Sequence, residues 1–502
     1  MDSKTQPLIA FNFLKDKIID TGLCTLCGAC ETACPMGVLH LKADKVGRFG
    51  DCSQGLDLCP ICYEICPHSE ALLLRSLSFV ADAPIKNEAI GYYRKIVLAQ
   101  ACDPQLRIQS HGGAVVTSLL KYGIESGFFD SAIVSQAEIQ NPSKPLPAVA
   151  VVPDDILAAI GSKFFPSSVA KAYGSAVYGY GKRDIAFVGV PCHVLAVRKL
   201  EAWQHKISSN LKIIFGLFCF GTFSMNSMLD HISKKYKLLS SDILRMRLSS
   251  SFVIQTRNGD VKIPLSEIDD HILPSCRVCA DFTSELADIS IGSGYPLEGW
   301  STIIIRTKIG EDFFYDSVSK GIVNTWVIEE EPKVFERLIV AGMEKRNNAL
   351  KKAKQMEQNS GHHPVLLLRE SSILANSKVS EVMTPSIKTV SQDITVTDFL
   401  ALVPKYKHIA YPLVNKKNVP IGWITLEEAA KVEKQFRSTT IVNKIAIRRL
   451  ITVYPDETAL SAFKKMSSHK IGRVLVIDRN DSEKILGIVT KTDLIHALTK
   501  QF

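Results

Sequence analysis

Two apolar runs of strand length stand out in the middle of the chain, residues 185–188 (Ile-Ala-Phe-Val) and 213–218 (Ile-Ile-Phe-Gly-Leu-Phe). Uninterrupted runs of this length predict buried strands. Residues 288–291 (Asp-Ile-Ser-Ile) predict a third. Residues 114–121 carry the periodicity of a helix, entered through Gly112 and Gly113. Residues 344–354 also read as helix, but so basic that a solvated linker is the expectation. From residue 376 the pattern repeats. Thr389-Val390-x-x-Asp393-x-Thr395 returns as Thr452-Val453-x-x-Asp456-x-Thr458, and Gly422-x-x-Thr425-x-x-Glu428 returns as Gly487-x-x-Thr490-x-x-Asp493. Each half predicts strand, helix, strand, turn, strand, helix. Two breaks punctuate the pattern: a linker at 80–87, and a proline-rich loop at 141–147. The expected layout is a multidomain α+β and α/β chain: a module at 1–80, a central domain at 91–342, a basic linker at 343–375, and repeats at 376–436 and 437–502.

Composition narrows this picture. A chain of 502 residues should hold about three domains. Its net charge of +9 is mild for that length; it permits an anionic ligand without arguing for nucleic acid. No apolar run is long enough to span a bilayer. The first twenty residues lack the basic, apolar and small-residue parts of a secretory leader. A cytoplasmic protein is the expectation.

The 13 cysteines are too ordered for disulfide staples in a chain of this size. Cys24-x2-Cys27-x2-Cys30-x3-Cys34-Pro35 is the bacterial ferredoxin run, and Cys52, then Cys59-x2-Cys62-x3-Cys66-Pro67, supplies a second set with a stretched first gap. In such runs the fourth cysteine serves the other cluster. Cys24, Cys27, Cys30 and Cys66 are thus assigned to one 4Fe–4S cluster, and Cys34, Cys52, Cys59 and Cys62 to a second. Thiolates are soft ligands suited to iron, and Gly28 and Ala29 leave room for the inorganic sulfides. Paired zinc sites are the alternative; they do not call for the Cys-Pro endings. Four more cysteines are dispersed. Cys192 and Cys219 each follow an apolar run, and Cys276-x2-Cys279 forms a close pair. Two strand ends and one loop could bring four thiolates to one point, suiting a 4Fe–4S cluster or a closed zinc site. A lone cysteine in such a place would be a core residue, which is the reading for Cys102.

Several ordered blocks carry a family resemblance. Arg107-Ile-Gln-Ser110-His111-Gly112-Gly113-Ala-Val-Val-Thr117, Gly189-Val-Pro-Cys192-His193, Phe218-Cys219, the stretch from Cys276 to Ser293, and Glu298-Gly-Trp-Ser-Thr302 resemble the beta-subunit family of coenzyme F420 hydrogenases and dehydrogenases. The resemblance covers residues 20 to about 340. It implies FAD, with FMN as the alternative, beside a 4Fe–4S cluster on Cys192, Cys219, Cys276 and Cys279. That makes three 4Fe–4S clusters in all. His111 stands where the family has a small polar or acidic residue, and His193 where it has glutamine. Each is a candidate proton donor, with packing or hydrogen bonding as the plainer role. Glycines at a helix entry let backbone N–H groups approach a phosphate. Arg107, Ser110, Gly112, Gly113 and Thr117 are therefore candidate cofactor contacts, and Gly292-Ser293-Gly294 a second approach point; a plain turn is the alternative for both glycine pairs.

The tail resembles a tandem pair of cystathionine-β-synthase-type (CBS) domains. In that family the threonine and acid of the last turn hold the ribose of adenine nucleotides. Thr490 and Asp493 match, and Thr425 with Glu428 matches in part. Helix capping explains the same residues. A homodimer through the CBS pair is a further expectation.

A deazaflavin carries hydride, a cluster carries single electrons, and a flavin converts between them. The resulting expectation is a flavin iron–sulfur oxidoreductase working between coenzyme F420 and a ferredoxin-like carrier or a larger redox complex. The alternatives are a reductase of another organic substrate, such as a chlorophyll-type tetrapyrrole, and a nucleotide-responsive redox-sensing regulatory subunit.

Overall fold

The structure, a computed structural model, describes residues 10–42, 45–50, 59–69, 71–110, 112–139, 141–248, 251–360, 377–385, 387–406, 410–469, 471–490, 492–494 and 497. Cys52 and His111 lie outside the described residues. The chain divides into two compact units, residues 1–368 and 369–502.

The first unit is built on an eight-stranded mixed sheet. Its strands are β1 (Lys95–Ala101), β2 (Ser131–Ala137), β3 (Pro145–Ala150), β4 (Ile185–Gly189), β5 (Leu211–Leu217), β6 (Ile289–Ser293), β7 (Ser301–Ile305) and β8 (Val323–Val327), in the spatial order β8-β1-β7-β6-β5-β4-β2-β3. The expected strands at 185–188, 213–218 and 288–291 are β4, β5 and β6. These run parallel to one another and to β2. Residues 185–188 and 213–217 are apolar without a break because both faces are covered. Phe187 and Ile214 pack into one layer with Val194, Leu200 and Tyr173, while Ala186, Ile213 and Phe215 pack into the other with Leu119, Phe313 and Phe314. The covering helices include α2 (Val115–Glu125), α3 (Val169–Tyr178) and α4 (Pro191–Trp203). A smaller antiparallel sheet, Arg245–Leu248, Phe252–Thr256 and Gly259–Ile263, shares a separate core with the helix Met225–Tyr236.

The cysteine-rich N-terminal segment has a short helix, α1 (Ala29–Ala33), and a hairpin pairing Leu39–Lys42 with Lys45–Arg48. It sits directly on α3. Thr32 Oγ1 donates to Ala170 O at 2.8 Å, and Ala170 N donates to Cys27 O at 3.1 Å. A Cβ on Gly174 would come within 2.7 Å of the Thr32 methyl, so the two helices meet through that glycine.

Three sequence expectations change. The linker at 80–87 ends in a strand, Ile85–Asn87, paired with Gly91–Tyr93. The loop at 141–147 runs into β3, so Pro145 and Pro147 are strand residues. An edge strand tolerates proline because its outward N–H has no partner to lose. The basic linker starts inside one unbroken helix, α5 (Pro332–Ser360), whose Arg346 is 1% exposed. Gly342 lets this helix approach the chain at Ala89; a Cβ there would lie 2.4 Å from Ala89 O.

In the second unit both halves follow the predicted order. Val390–Ser391 pairs in parallel with Leu413–Val414, as Thr452–Val453 does with Leu475–Val476. Each half has a register shift at the same place in its hairpin, Leu413/Val414 and Val476/Ile477. The leading segments of the two halves are exchanged. Thr384–Pro385 pairs with Ile488 and Gly487 of the second half, and Val379 lies in that half's core. Val442 lies in the first half's core, and Ile447 bridges to Trp423.

Candidate redox centre at the carboxyl edge of the sheet

Strands β1, β4, β5 and β6 all end at one edge of the sheet, where β7 begins: Ala99 and Ser293 both register with Ser301, Ile291 with Leu217, and Gly189 with Gly216. This is the edge where open α/β sheets place their ligands. The dispersed cysteines lie just beyond it. Cys192 is the second residue of the 13-residue helix α4, behind Pro191 at the first position. There the helix dipole favours a thiolate. Cys219 follows β5 and is fixed by its N–H donating to Phe282 O at 2.9 Å. Cys276 lies in the short helix Pro274–Arg277, and its Sγ accepts from Thr222 N at 3.3 Å.

The four thiols feel one another. Burial raises Cys192 far above the ordinary thiol range, and Cys276, Cys219 and Cys279 raise it further. Burial likewise pushes Cys219 up to about 12, with Lys345 opposing and Cys276 and Cys279 adding. Burial thus favours the neutral thiol at Cys192 and Cys219, and taking up metal displaces the proton. Among the described residues no three Cys, His, Asp or Glu side chains close on a point as one ion would need. An all-sulfur set drawn from three segments, with a backbone N–H already on one sulfur, fits a larger iron–sulfur body.

Cations support this turn from α5. Lys345 Nζ donates to Cys219 O at 2.6 Å. Burial works against its charge, but Cys279, Cys219, Cys276 and Asp281 together hold it above the ordinary lysine range. Arg346 bonds Glu285, whose carboxyl burial lifts to about 7 while Arg346 pulls it down. Arg306, fully buried, donates to Ser290 Oγ, Ile90 O, Tyr92 O and Thr283. Sequence reasoning missed these cations; their only signal was three basic residues beside apolar periodicity.

The N-terminal cysteines form a second group. Cys30 is raised by burial and by Cys27, Cys24, Cys66 and Cys62; Cys66 by burial, then Cys27 and Cys24. Cys24, Cys27, Cys66 and Cys62 all lie near Cys30. Cys34 and Cys59 are half-buried and Cys62 is buried.

The expected cofactor contacts separate. Gly113 N donates to Ser301 Oγ at 3.1 Å, and a Cβ there would lie 2.6 Å from Ala99 O, so only glycine fits. Gly112 has φ +88, and a Cβ there would touch only Ser301 Oγ, at 3.8 Å. Ser110 Oγ is buried without a partner among the described residues. The 11-residue helix α2 begins here, behind Ala114, with no side-chain cap. Unclaimed N–H groups, a glycine pair and an orphan hydroxyl fit a phosphate-bearing cofactor. Thr117 is half-buried in the first turn. Arg107 is used locally, its Nη1 donating to Ala101 O at 2.6 Å. Gly292 serves packing instead, since a Cβ there would strike the Phe218 ring. Ser293 Oγ accepts from Tyr295 N at 3.2 Å, closing a turn. His193 is 7% exposed, and burial lowers it to about 4, so it is a neutral imidazole.

In the second unit the capping role is realised. Asp493 Oδ2 accepts from Thr490 N and Oγ1, both at 2.7 Å, and its Oδ1 accepts from Thr384 Oγ1 at 2.8 Å. Thr425 Oγ1 accepts from Glu428 N at 3.1 Å. A cavity of about 460 Å³ lies at the hairpin turns and is lined by Ile387, Lys417, Asp481 and Lys484 among others, not by these threonines and acids.

Comparisons with known proteins agree with this layout. Residues 96–173 and 182–331 match the N-terminal and C-terminal family models of the coenzyme F420 hydrogenase/dehydrogenase beta subunit. Residues 17–40, which hold Cys24, Cys27, Cys30 and Cys34, match a 4Fe-4S binding domain, and 379–434 and 442–500 match CBS domains. One subunit of the F(420)H(2) dehydrogenase of Methanosarcina mazei is 30% identical over 348 residues, covering 66% of this chain and 92% of that one. The coenzyme F420 hydrogenase subunit beta of Methanococcus voltae is 32% identical, covering 48% and 86%. A chain of the F420-reducing [NiFe] hydrogenase complex from Methanosarcina barkeri superposes with a TM-score of 0.53 at 29% identity, covering 56% of this chain and 98% of its own. Among the described residues no helix is long and apolar enough to cross a membrane. Joined from end to end by these matches, the chain belongs to the coenzyme F420 hydrogenase/dehydrogenase beta-subunit family, with a 4Fe–4S-binding segment before the family core and a CBS pair after it.

Proposed function

We propose that this protein is a flavin-dependent iron–sulfur oxidoreductase that exchanges electrons between coenzyme F420 and a ferredoxin-like carrier or a larger redox complex, through three 4Fe–4S clusters. The observation that carries the reading is that Cys192 at the start of α4, Cys219 just after β5 and the uncapped helix entry at Gly112 and Gly113 all stand at one edge of the sheet. A bound flavin supplies the conversion between hydride and single-electron chemistry. The chain's own residues supply placement. Gly112, Gly113 and the α2 amides receive the cofactor's phosphates, and Ser110 Oγ adds a hydrogen bond. Cys192, Cys219, Cys276 and Cys279 ligate one cluster, and Thr222 N and Lys345 offset the charge on its sulfurs. FAD is the flavin preferred, with FMN the alternative. The named activities of the relatives, F420 hydrogenase, F(420)H(2) dehydrogenase and a coenzyme F420-dependent sulfite reductase of Methanocaldococcus jannaschii that is 29% identical over 335 residues, support the same substrate.

The CBS pair is proposed to bind adenine nucleotide and to bias turnover, and a homodimer through it is part of the same reading. Anaerobic mixing of the reconstituted protein with reduced coenzyme F420, followed at the flavin absorbance, tests the core claim. Bleaching by the deazaflavin supports it. Bleaching only by a chlorophyll-type tetrapyrrole substrate moves the protein to that reaction, and no turnover with any donor leaves a redox-sensing subunit.

A further inference from the structure

Helix α4 carries two chemically loaded side chains seven residues apart, Cys192 and Lys199. Seven residues are about two turns and roughly 10 Å of rise, so both stand near one face. Lys199 is 0% exposed. Its Nζ donates to Cys66 O at 2.6 Å, to Ser69 O at 2.8 Å and to Ser69 Oγ at 3.0 Å. All three acceptors belong to the turn that follows the last cysteine of the N-terminal segment. Ser69 is itself fully buried, and its hydroxyl donates back to Cys66 O at 3.0 Å.

A buried ammonium is expensive, several kcal/mol of desolvation after relaxation, and apolar residues of similar volume often replace buried charges without loss. A lysine at this place therefore calls for a use beyond packing. Its surroundings indicate one. Its three bonds tie the Cys66 turn to α4, the helix whose second residue is Cys192. On the side of α3, Cys27 O accepts from Ala170 N. Helix α4 thus spans from the Cys66 turn to the central cysteines.

We propose that Lys199 is a positioning residue: it pins the group Cys24, Cys27, Cys30 and Cys66 next to the central four cysteines and holds a fixed positive charge on it. That group, rather than the one containing Cys34, Cys59 and Cys62, is then the neighbour of the central site. A fixed cation favours the reduced, more negative form of a nearby cluster and so raises its potential. The inference rests on the iron–sulfur reading above.

Iron and sulfide analysis of the full chain comes first; a wild type without 4Fe–4S clusters overturns the parent reading and this one with it, whereas the titrations below, done on loaded protein, can overturn this one alone. EPR-monitored redox titration then compares wild type, Lys199→Met and Lys199→Arg. In the methionine variant one N-terminal signal should move to lower potential while the other keeps its place, and its spin coupling to the central signal should weaken. The arginine variant should restore the potential. Ser69→Ala, which removes one acceptor and keeps the charge, should stay near wild type. Unchanged potentials in a fully loaded Lys199→Met protein, an equal shift of every signal, or identical behaviour of the methionine and arginine variants would overturn the proposal. Should Lys199→Met not fold, Cys34→Ser decides the order. It removes a ligand of the other group alone, so coupling to the central signal survives if the order is right and vanishes if it is wrong.

Discussion

Glu285 and Arg346 are 3% and 1% exposed and bonded to each other, one on the chain that follows Cys279 and the other on α5. Truncating either strands the other charge in the core. Glu285→Ala or Arg346→Ala should cost about 3–5 kcal/mol, read as a lower urea midpoint. Removing the exposed pair Lys234–Asp230 should cost about 1 kcal/mol or less. Cys192→Ser tests the ligand assignment at the same scale. Iron should fall from about twelve to about eight atoms per chain, with the N-terminal EPR signals kept; equal loss of all signals would mean the sites are not separate. At this scale the sequence was partly legible. Cysteine spacing exposes a ligand because the spacing is itself the chemistry. The fate of a cation depends on its partner, and nothing near Lys199, Lys345 or Arg346 in sequence names Ser69, Cys219 or Glu285. Gly292 has a partner just as distant: a Cβ there would strike the ring of Phe218, more than seventy positions away.

The elements divide along the same line. Residues 185–188 and 213–218 announced themselves because a strand buried on both faces has no polar phase to confuse it. The edge strand β3 hid behind its prolines, and α5 hid behind lysines that in part lie inward. The exchanged leading segments of the second unit were invisible, since a repeat reveals its period but not which copy each lead packs against. The helix entry at α2 yields a prediction of its own. A methyl on Gly113 would meet the backbone oxygen of Ala99, which cannot swing away as a side-chain end can. Gly113→Ala should therefore shift the loop, cost about 1–3 kcal/mol and lower the flavin-to-protein ratio of the purified chain. Thr117→Ala, which changes no backbone, should keep most of the flavin. Flavin retained in full by Gly113→Ala would move the phosphate site elsewhere.

For the whole molecule, all the cysteines fall in the first unit and the nucleotide-type motif in the second. The second unit can act on the first only through a ligand that binds one conformation better than another. Asp493 is where that idea can be tested, but it has two duties. Its carboxylate caps the helix after Thr490 and ties down Thr384 of the exchanged lead. Asp493→Ala would lose the cap, about 0.5–2 kcal/mol, and confuse binding with folding. Asp493→Asn keeps a capping oxygen and removes the charge, so it isolates recognition of the ribose hydroxyls. With the full chain, calorimetry against AMP, ADP and ATP should show binding in wild type and a loss of about 1–3 kcal/mol in Asp493→Asn. Turnover without nucleotide should be equal in the two proteins, because the cysteine groups and the α2 entry belong to the other unit. Binding that survives unchanged in Asp493→Asn would move the nucleotide to another place, the cavity beside Lys417 and Lys484 being the first to probe with Lys484→Ala. If none of the three nucleotides binds wild type and none alters its turnover, the pair serves assembly, and the sensing role falls.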